Sequence, residues 1–235
     1  MAKSGREATS AVVLLSSGLD STFNLLKALE QFQVCLVLTF DYGQKAAAKE
    51  IVRSRALAKN YGLRHELIHL PWFKLFTQTS LLSGLEVPTG EEVQIEDLHR
   101  SLETAKSVWV PNRNGILLNI AAGFAEGLGA EFVVPGFNYE EAQTFPDNSA
   151  AFLKTLNECW SFSTESAVQT YCFSASLTKT QIVAEAIALK MPFEKLWPCY
   201  LSGESWCGSC ESCLRFERAL NANGLLFSQL NGSTE

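Results

Sequence analysis

Val12-Val13-Leu14-Leu15-Ser16-Ser17-Gly18-Leu19-Asp20-Ser21-Thr22 is the stretch that decides how this chain is read. An apolar strand, about 11–15, runs into a tight Ser/Gly turn, and a helix begins at Ser21. Such a turn aims several backbone N–H groups at one point beside the positive end of a helix dipole, which suits a polyphosphate. The run is neither of the familiar Gly-rich phosphate loops: the chain holds no G-x-x-x-x-G-K-[ST] and no G-x-G-x-x-G. An ordinary βα turn with an Asp or Ser cap is the plainer alternative.

Outward from this turn, the first 70 residues read as strand, helix, strand, helix, strand. The first helix, about 21–33, carries Phe23, Leu25, Leu26 and Leu29 on its inner side. Strand two, about 34–40, is a nearly continuous apolar run, the pattern of a parallel strand covered on both faces. A helix over about 45–61 closes at Gly62, and a third strand over about 64–70 ends at Pro71. Alternating β and α elements imply a parallel sheet with right-handed crossovers. Residues 71–108 read as an insertion or lid with an acidic stretch. Beyond it, helices are expected at about 114–128, 149–165, 178–189 and 211–221, and strands at about 131–135 and 171–174. Residues 231–235 read as a frayed tail.

Length and composition bound the function. The 235 residues suit one large domain with a small appendage. The first ten residues lack an apolar core, and no apolar run approaches the length of a membrane span, so no signal peptide and no membrane are expected and the cytoplasm is the default. With 19 Lys+Arg against 25 Asp+Glu and no basic run, a small-molecule substrate is favoured over direct nucleic-acid binding.

Seven cysteines are an odd count that argues against a disulfide framework. Cys35 and Cys172 stand in apolar surroundings and read as core; Cys159 is ambiguous. Cys199, Cys207, Cys210 and Cys213 form C-x7-C-x2-C-x2-C. Four thiolates closing one loop suit tetrahedral zinc with every position filled by protein, hence a structural role. Iron–sulfur is the alternative ligation. Gly208 allows the tight turn between ligands, and Cys213 falls in the first turn of the last helix, whose dipole favours thiolate.

His65-Glu66-Leu67-Ile68-His69 matches H-E-x-x-H by letter. That zinc-protease motif needs a helix. Here it occupies a strand slot between Gly62 and Pro71, where the two histidines would stand about 13 Å apart. It is read as a coincidence.

The opening turn resembles the SGGxDS signature of the PP-loop ATP pyrophosphatases, which cleave ATP between the α- and β-phosphates. With the four-cysteine cluster at the other end, the chain resembles the 7-cyano-7-deazaguanine synthase family of queuosine biosynthesis. Thr39-Phe40-Asp41-Tyr42-Gly43-Gln44, Val110-Pro111-Asn112-Arg113-Asn114, Phe145-Pro146-Asp147 and Ser176-Leu177-Thr178-Lys179 resemble further segments of that family. Three departures stand out. Ser17 replaces a Gly, which is tolerable only if that position does not need a positive φ. Asn112 replaces a Gly, and Asn is the residue best able to keep its left-handed turn. Gln143–Asn148 replaces a Ser-Gly-Tyr-Pro-Asp-Cys segment, which leaves a paralogue acting on a related deazapurine acid open.

The resemblance implies an α/β fold, a Rossmann-like parallel sheet with helices on both faces of the adenine nucleotide alpha-hydrolase type. Residues 1–195 would form the nucleotide-binding domain and 196–235 a zinc-binding region packed on it. It implies conversion of 7-carboxy-7-deazaguanine and ammonia to the nitrile through adenylated intermediates, with ATP, Mg²⁺ and structural Zn²⁺ as cofactors and a homodimer as assembly. No glutaminase domain fits in this length, so free ammonia or a partner protein supplies the nitrogen. ATP would lie on Leu15, Ser16, Ser17, Gly18, Leu19, Asp20, Ser21, Thr22, Phe23, Asn24 and Leu25, with Asp41 at the end of strand two. Asp20 either fixes the loop, positions Mg²⁺ or caps the helix. Arg113 pairs with the substrate carboxylate or a phosphate, beside Asn114. Asp147 accepts from the guanine-like edge, and Lys179 faces phosphate. The rivals are a PP-loop transfer-RNA modifying enzyme of the thiolation type and a non-catalytic ATP-binding module.

Overall fold

The computed structural model describes residues 9–231, and β1 (Ser10–Leu14) is the hub of its sheet. All five strands are parallel, in the order β3-β2-β1-β4-β5, with β2 at Gln33–Asp41, β3 at His65–His69, β4 at Phe132–Val134 and β5 at Gln169–Thr170. The chain winds outward from β1 through β2 to β3, then returns to add β4 on the other side of β1. The strand order therefore reverses between β1 and β4, and a crevice opens there at the carboxyl ends of the strands, where open α/β sheets place ligands.

Side-chain alternation explains why β1, β2 and β4 are apolar along most of their length. Val12, Leu36, Leu38, Phe40 and Val133 share one buried cluster with Leu118, Ala121, Ala122 and Ala125 of α4 (Arg113–Leu128). Ala11, Val13, Val37 and Val134 share another with Leu25 and Ala28 of α1 (Leu19–Gln31) and Leu57 of α2 (Ala47–Asn60). Period-two alternation thus feeds two faces, each covered by helix. Helix α2 ends as its Gly62 foretells: Gly62 is left-handed at φ 66°, and the N–H groups of Gly62 and Leu63 return to the carbonyls of Lys59 and Ala58 at 3.1 and 2.9 Å.

The segment 71–108 is folded. It holds a 3-10 turn at Pro71–Leu75, another at Gly90–Glu92 and helix α3 (Leu98–Val108), which Asp97 caps through the N–H groups of His99 and Arg100. Leu81 accepts from the N–H of Lys45, and Gly90 donates to the Ser209 carbonyl at 2.9 Å, so the segment is tied both to the chain before α2 and to the cysteine-rich stretch. The remaining helices are the short α5 (Tyr139–Ala142), α6 (Ala150–Ser163), α7 (Lys179–Ala188), α8 (Glu211–Ala222) and the short α9 (Phe227–Leu230).

Three local expectations are corrected. The last strand lies at Gln169–Thr170 rather than 171–174, because it stops once Gln169 and Thr170 have paired with Phe132 and Val133. Helix α1 begins at Leu19, two residues early. Of the tail, Asn231 is pinned: its side chain exchanges hydrogen bonds with the backbone of Trp206 at 2.7 and 3.0 Å. Residues 232–235 lie outside the described residues. Among the described residues, no helix is long and apolar enough to cross a membrane.

Candidate functional site

Helix α1 starts without a side-chain cap. Gly18 is its N-cap, so the first-turn N–H groups keep no side-chain partner and the positive end of the helix opens into the crevice. Ser16, Gly18, Leu19, Asp20 and Ser21 line that cavity, as does Leu15. The Ser21 hydroxyl organises the turn, lying 3.2 Å from the Ser16 N–H, the Ser16 hydroxyl and the Gly18 carbonyl. Asp20 is therefore not the N-cap; it sits inside the first turn.

Ser17 overturns the condition set on it. Its φ is +60°, in the left-handed region, although its side chain is not glycine's. That conformation costs roughly 1–2 kcal/mol for a non-Gly residue. The surroundings impose it. Ser17 is fully buried, its carbonyl accepts from Trp197 N–H at 2.9 Å, and its hydroxyl donates to the Ser16 carbonyl. Asn112 behaves as expected, left-handed at φ 51° at the N-cap of α4. Gly136, just after β4, is required for another reason: a Cβ there would lie 2.5 Å from the Ser21 backbone. The β4 exit thus presses on the phosphate-loop backbone, and only glycine permits it.

Behind the loop lies a buried charge cluster. Lys179 Nζ sits 2.8 Å from Asp20 Oδ2 and 2.7 Å from Glu141 Oε1, and its side chain is only 4% exposed. Lys179 is the first residue of α7, held by a capping box of Thr178 and Gln181, while its N–H donates to Glu140 at 2.9 Å. Burial pushes the Asp20 carboxyl up against the pull of Lys179. Burial is the largest influence on Glu141 too, but Lys179, Arg215 and Asn138 together outweigh it and hold the carboxyl below its usual range. Two carboxylates on one ammonium leave a net negative charge, and Asp20 Oδ1 is buried with no hydrogen-bond partner. An unpartnered carboxylate oxygen beside an uncapped helix start, in a crevice, fits a divalent cation.

Arg113 and Asn114 open α4 on the facing wall. Arg113 Nε donates to Asn114 Oδ1 at 3.1 Å and Nη1 to the Tyr42 hydroxyl at 3.4 Å. Burial opposes its charge, yet nearby Tyr42 and Asp147 hold it firmly protonated. Among the described residues, no carboxylate lies within ion-pair distance of it, so its fork retains donors for an anion. Asp147 lines the cavity near Arg113, and its carbonyl accepts from Asn114 Nδ2 at 3.3 Å. Burial raises its carboxyl.

Some expected nucleotide contacts lie elsewhere. Asp41 ends β2 as expected but is not on the cavity wall; it accepts from Gly43 N–H and faces His69 Nδ1 at 3.1 Å. Phe23 and Leu25 are core. Thr22 is fully buried, and Asn24 is a strut from α1 to the segment after β5, donating to the Asp20 carbonyl and accepting from Phe173 N–H, each at 2.8 Å. The H-E-x-x-H run is indeed a strand: His65 pairs with the Thr39 hydroxyl and His69 with Asp41. Two cavity residues escaped the sequence. Glu141 stands three residues after Asn138, whose side chain accepts its N–H, so its only local signal is that of a helix cap. Glu50 lies in the first turn of α2, where an acid reads as dipole complement.

The four cysteines converge. Their sulfurs lie within 4.8 Å of one another, and Cys207 and Cys213 are 3.9 Å apart, near the roughly 3.8 Å edge of a tetrahedral zinc–thiolate site. Backbone N–H groups of Leu201 and Cys207 point at the Cys199 sulfur, and those of Ser209 and Cys210 at the Cys207 sulfur. Hydrogen bonds from the thiols of Cys210 and Cys213 hold Cys199 far below its ordinary range, toward thiolate. Gly208 makes the turn at φ 68°. The donor set is compatible with zinc. Cys199 and Tyr200 also line the cavity, so the cluster touches its wall through Cys199.

Residues 10–224 match the family described as "Queuosine biosynthesis protein QueC". Among curated relatives, the chain is 54% identical over 210 residues to the "7-cyano-7-deazaguanine synthase" of Bdellovibrio bacteriovorus, covering 88% of this chain and 91% of the relative. It is 46% identical to the protein of that name in Desulforudis audaxviator, over 91% of this chain and 97% of the relative. Against that of Pelotomaculum thermopropionicum it is 47% identical, over 92% and 98%.

Proposed function

The chain belongs to the QueC family of queuosine biosynthesis proteins, and from that premise we propose that it is an ATP-dependent ligase, a 7-cyano-7-deazaguanine synthase. Its substrate is 7-carboxy-7-deazaguanine and its nitrogen donor is ammonia. The observation that carries the reading is the meeting of three features in one crevice: the uncapped start of α1, the buried Lys179 cluster and the donor fork of Arg113. A transfer-RNA modifying enzyme and a non-catalytic ATP module are not favoured.

A carboxylate is a poor electrophile because oxide would have to leave. Attack of a carboxylate oxygen on the α-phosphate makes an acyl adenylate and releases pyrophosphate. Ammonia then displaces AMP and leaves the amide. A second attack on ATP, by the amide oxygen, sets up loss of AMP to the nitrile. Each round activates an oxygen on the same carbon, so one site serves both.

The roles follow from placement. N–H groups of the 16–21 turn hold the departing pyrophosphate, aided by Lys179. Mg²⁺ at Asp20 would screen phosphate charge, and its bare Oδ1 is the support for that assignment. Arg113 and Asn114 face the substrate carboxylate or the α-phosphate, and Asp147 the purine-like edge. A structural Zn²⁺ on Cys199, Cys207, Cys210 and Cys213 braces residues 196–235 against the nucleotide-binding part, 1–195. We further assign a homodimer in the cytoplasm.

The test is AMP and pyrophosphate release with ATP, Mg²⁺ and ammonium, with and without the acid, alongside mass detection of product. Acid-dependent AMP with nitrile supports the reading. AMP without nitrile moves the substrate elsewhere, with the 143–148 segment as the first suspect; no AMP with any acid excludes the enzyme.

A further inference from the structure

We propose that Glu50 is the general base of the dehydrating half-reaction, taking the last N–H proton as AMP leaves and the nitrile forms. The inference rests on the proposed function and names a residue for it. In that step the adenylated amide, as the neutral imidate R–C(O–AMP)=NH, loses its N–H proton to Glu50. The N–H electron pair becomes the third C–N bond, and the C–O bond breaks with its electrons leaving on AMP. Atoms and charge balance without any oxidant or reductant. A proton acceptor is the one component that the step requires of the protein.

Elimination among the cavity's ionisable side chains points to Glu50. No histidine lines the cavity. Its carboxylates are Asp20, Glu50, Glu141 and Asp147. Asp20 and Glu141 are both bound to Lys179; Asp147, which like Glu50 feels Arg113 without pairing with it, is the residue assigned above to the purine-like edge. Glu50 is held by a neutral side chain: Gln44 Nε2 donates to its Oε2 at 2.8 Å. Gln44 is itself fixed, accepting from Tyr42 N–H and donating to the Phe40 carbonyl, each at 3.0 Å, so the carboxylate is aimed rather than loose.

The charged and titratable groups around Glu50 are Arg113 on α4, Asp41 at the end of β2, and Tyr42. Burial dominates over all of them and lifts the carboxyl to about 7. A base poised there accepts a proton efficiently at neutral pH. Its action requires the ionised form, so the rate it controls rises as pH rises through that value.

The test bypasses ammonia, whose own ionisation would mask the limb, by supplying 7-amido-7-deazaguanine with ATP and Mg²⁺. Nitrile formation is followed from about pH 5.5 to 8.5 for the whole chain, Glu50→Gln, Glu50→Asp and Asp147→Asn, with zinc content and melting checked for each. We expect Glu50→Gln to lower nitrile formation on the order of 100-fold or more and to lose the limb near pH 7. Glu50→Asp keeps the limb at reduced rate. ATP–pyrophosphate exchange driven by the acid falls far less than nitrile formation in Glu50→Gln. Exchange and nitrile falling by the same factor would mean that Glu50 only shapes the site, and would overturn the proposal. So would a limb that survives in Glu50→Gln or vanishes in Asp147→Asn instead. A wild-type chain that exchanges pyrophosphate yet makes no nitrile from the amide overturns the proposed function and this inference with it.

Discussion

The 16–21 turn and the cysteine knuckle both lead into a helix N-terminus, and they treat it in opposite ways. Helix α1 begins at Gly18 with no side-chain cap and leaves its N–H groups open to the crevice. Helix α8 begins at Cys210, and the N–H groups before it are turned onto sulfur. The knuckle draws all four ligands from fifteen consecutive residues, 199–213. The crevice gathers Ser16, Gly18–Ser21, Arg113, Glu141, Asp147 and Lys179 from across the chain. The local cluster is self-contained; the dispersed one, the proposed reaction centre, depends on the sheet to assemble it.

Breaking the brace should cost most. Cys210→Ser should lose the metal and lower stability by about 5 kcal/mol, on the order of 10–20 °C in melting temperature. Metal analysis with calorimetry checks this, and an unchanged melting point with metal gone would remove the brace from the account. Lys179→Met strikes the dispersed site. It leaves Asp20 and Glu141 buried without their cation, so a loss of about 3–5 kcal/mol is expected, with turnover falling on the order of 100-fold. Denaturation and AMP release measure the two, and zinc content should not move.

Smaller changes sharpen the contrast. Glu50 carries a carboxyl raised in the folded state, so the folded chain binds more protons than the unfolded chain between about 4.5 and 7. Stability from this group is present at low pH and declines as pH rises through that window. Glu50→Gln should therefore be more stable than wild type at pH 8, by up to about 3 kcal/mol, with the gain gone near pH 4. Gly136→Ala would push a methyl into the Ser21 backbone; a loss of about 1–3 kcal/mol is expected. A several-fold rise in KM for ATP should accompany it. Ser17→Gly relieves the left-handed strain but gives up a hydroxyl hydrogen bond and rigidity in the unfolded chain. Its stability should stay within about 1 kcal/mol of wild type.

What the sequence revealed follows the same division. The knuckle was legible in full because spacing within one loop is geometry. The parallel sheet was legible because strands covered on both faces are apolar on both, as the run Leu36–Leu38 is. The turn at 16–21 before an uncapped helix start was legible, but not the left-handed Ser17, whose strain is set by Trp197 far along the chain. Glu141 and Glu50 were missed for one reason. Each sits near a helix start, where an acidic residue has an ordinary local explanation, and only the fold turns it toward the crevice. Asp41 shows the converse: its place at the end of β2 was correct, yet register with His69 takes its side chain to a different partner.

The central claim is that the dispersed site adenylates the substrate's own oxygen. The most direct measurement supplies the carboxylic acid labelled with ¹⁸O in both carboxylate oxygens and follows the label through complete turnover. The account predicts two AMP molecules per nitrile, each carrying one ¹⁸O on its phosphate, with none in pyrophosphate. Unlabelled AMP, or label released into water, would show that ATP cleavage is not coupled to that oxygen and would contradict it.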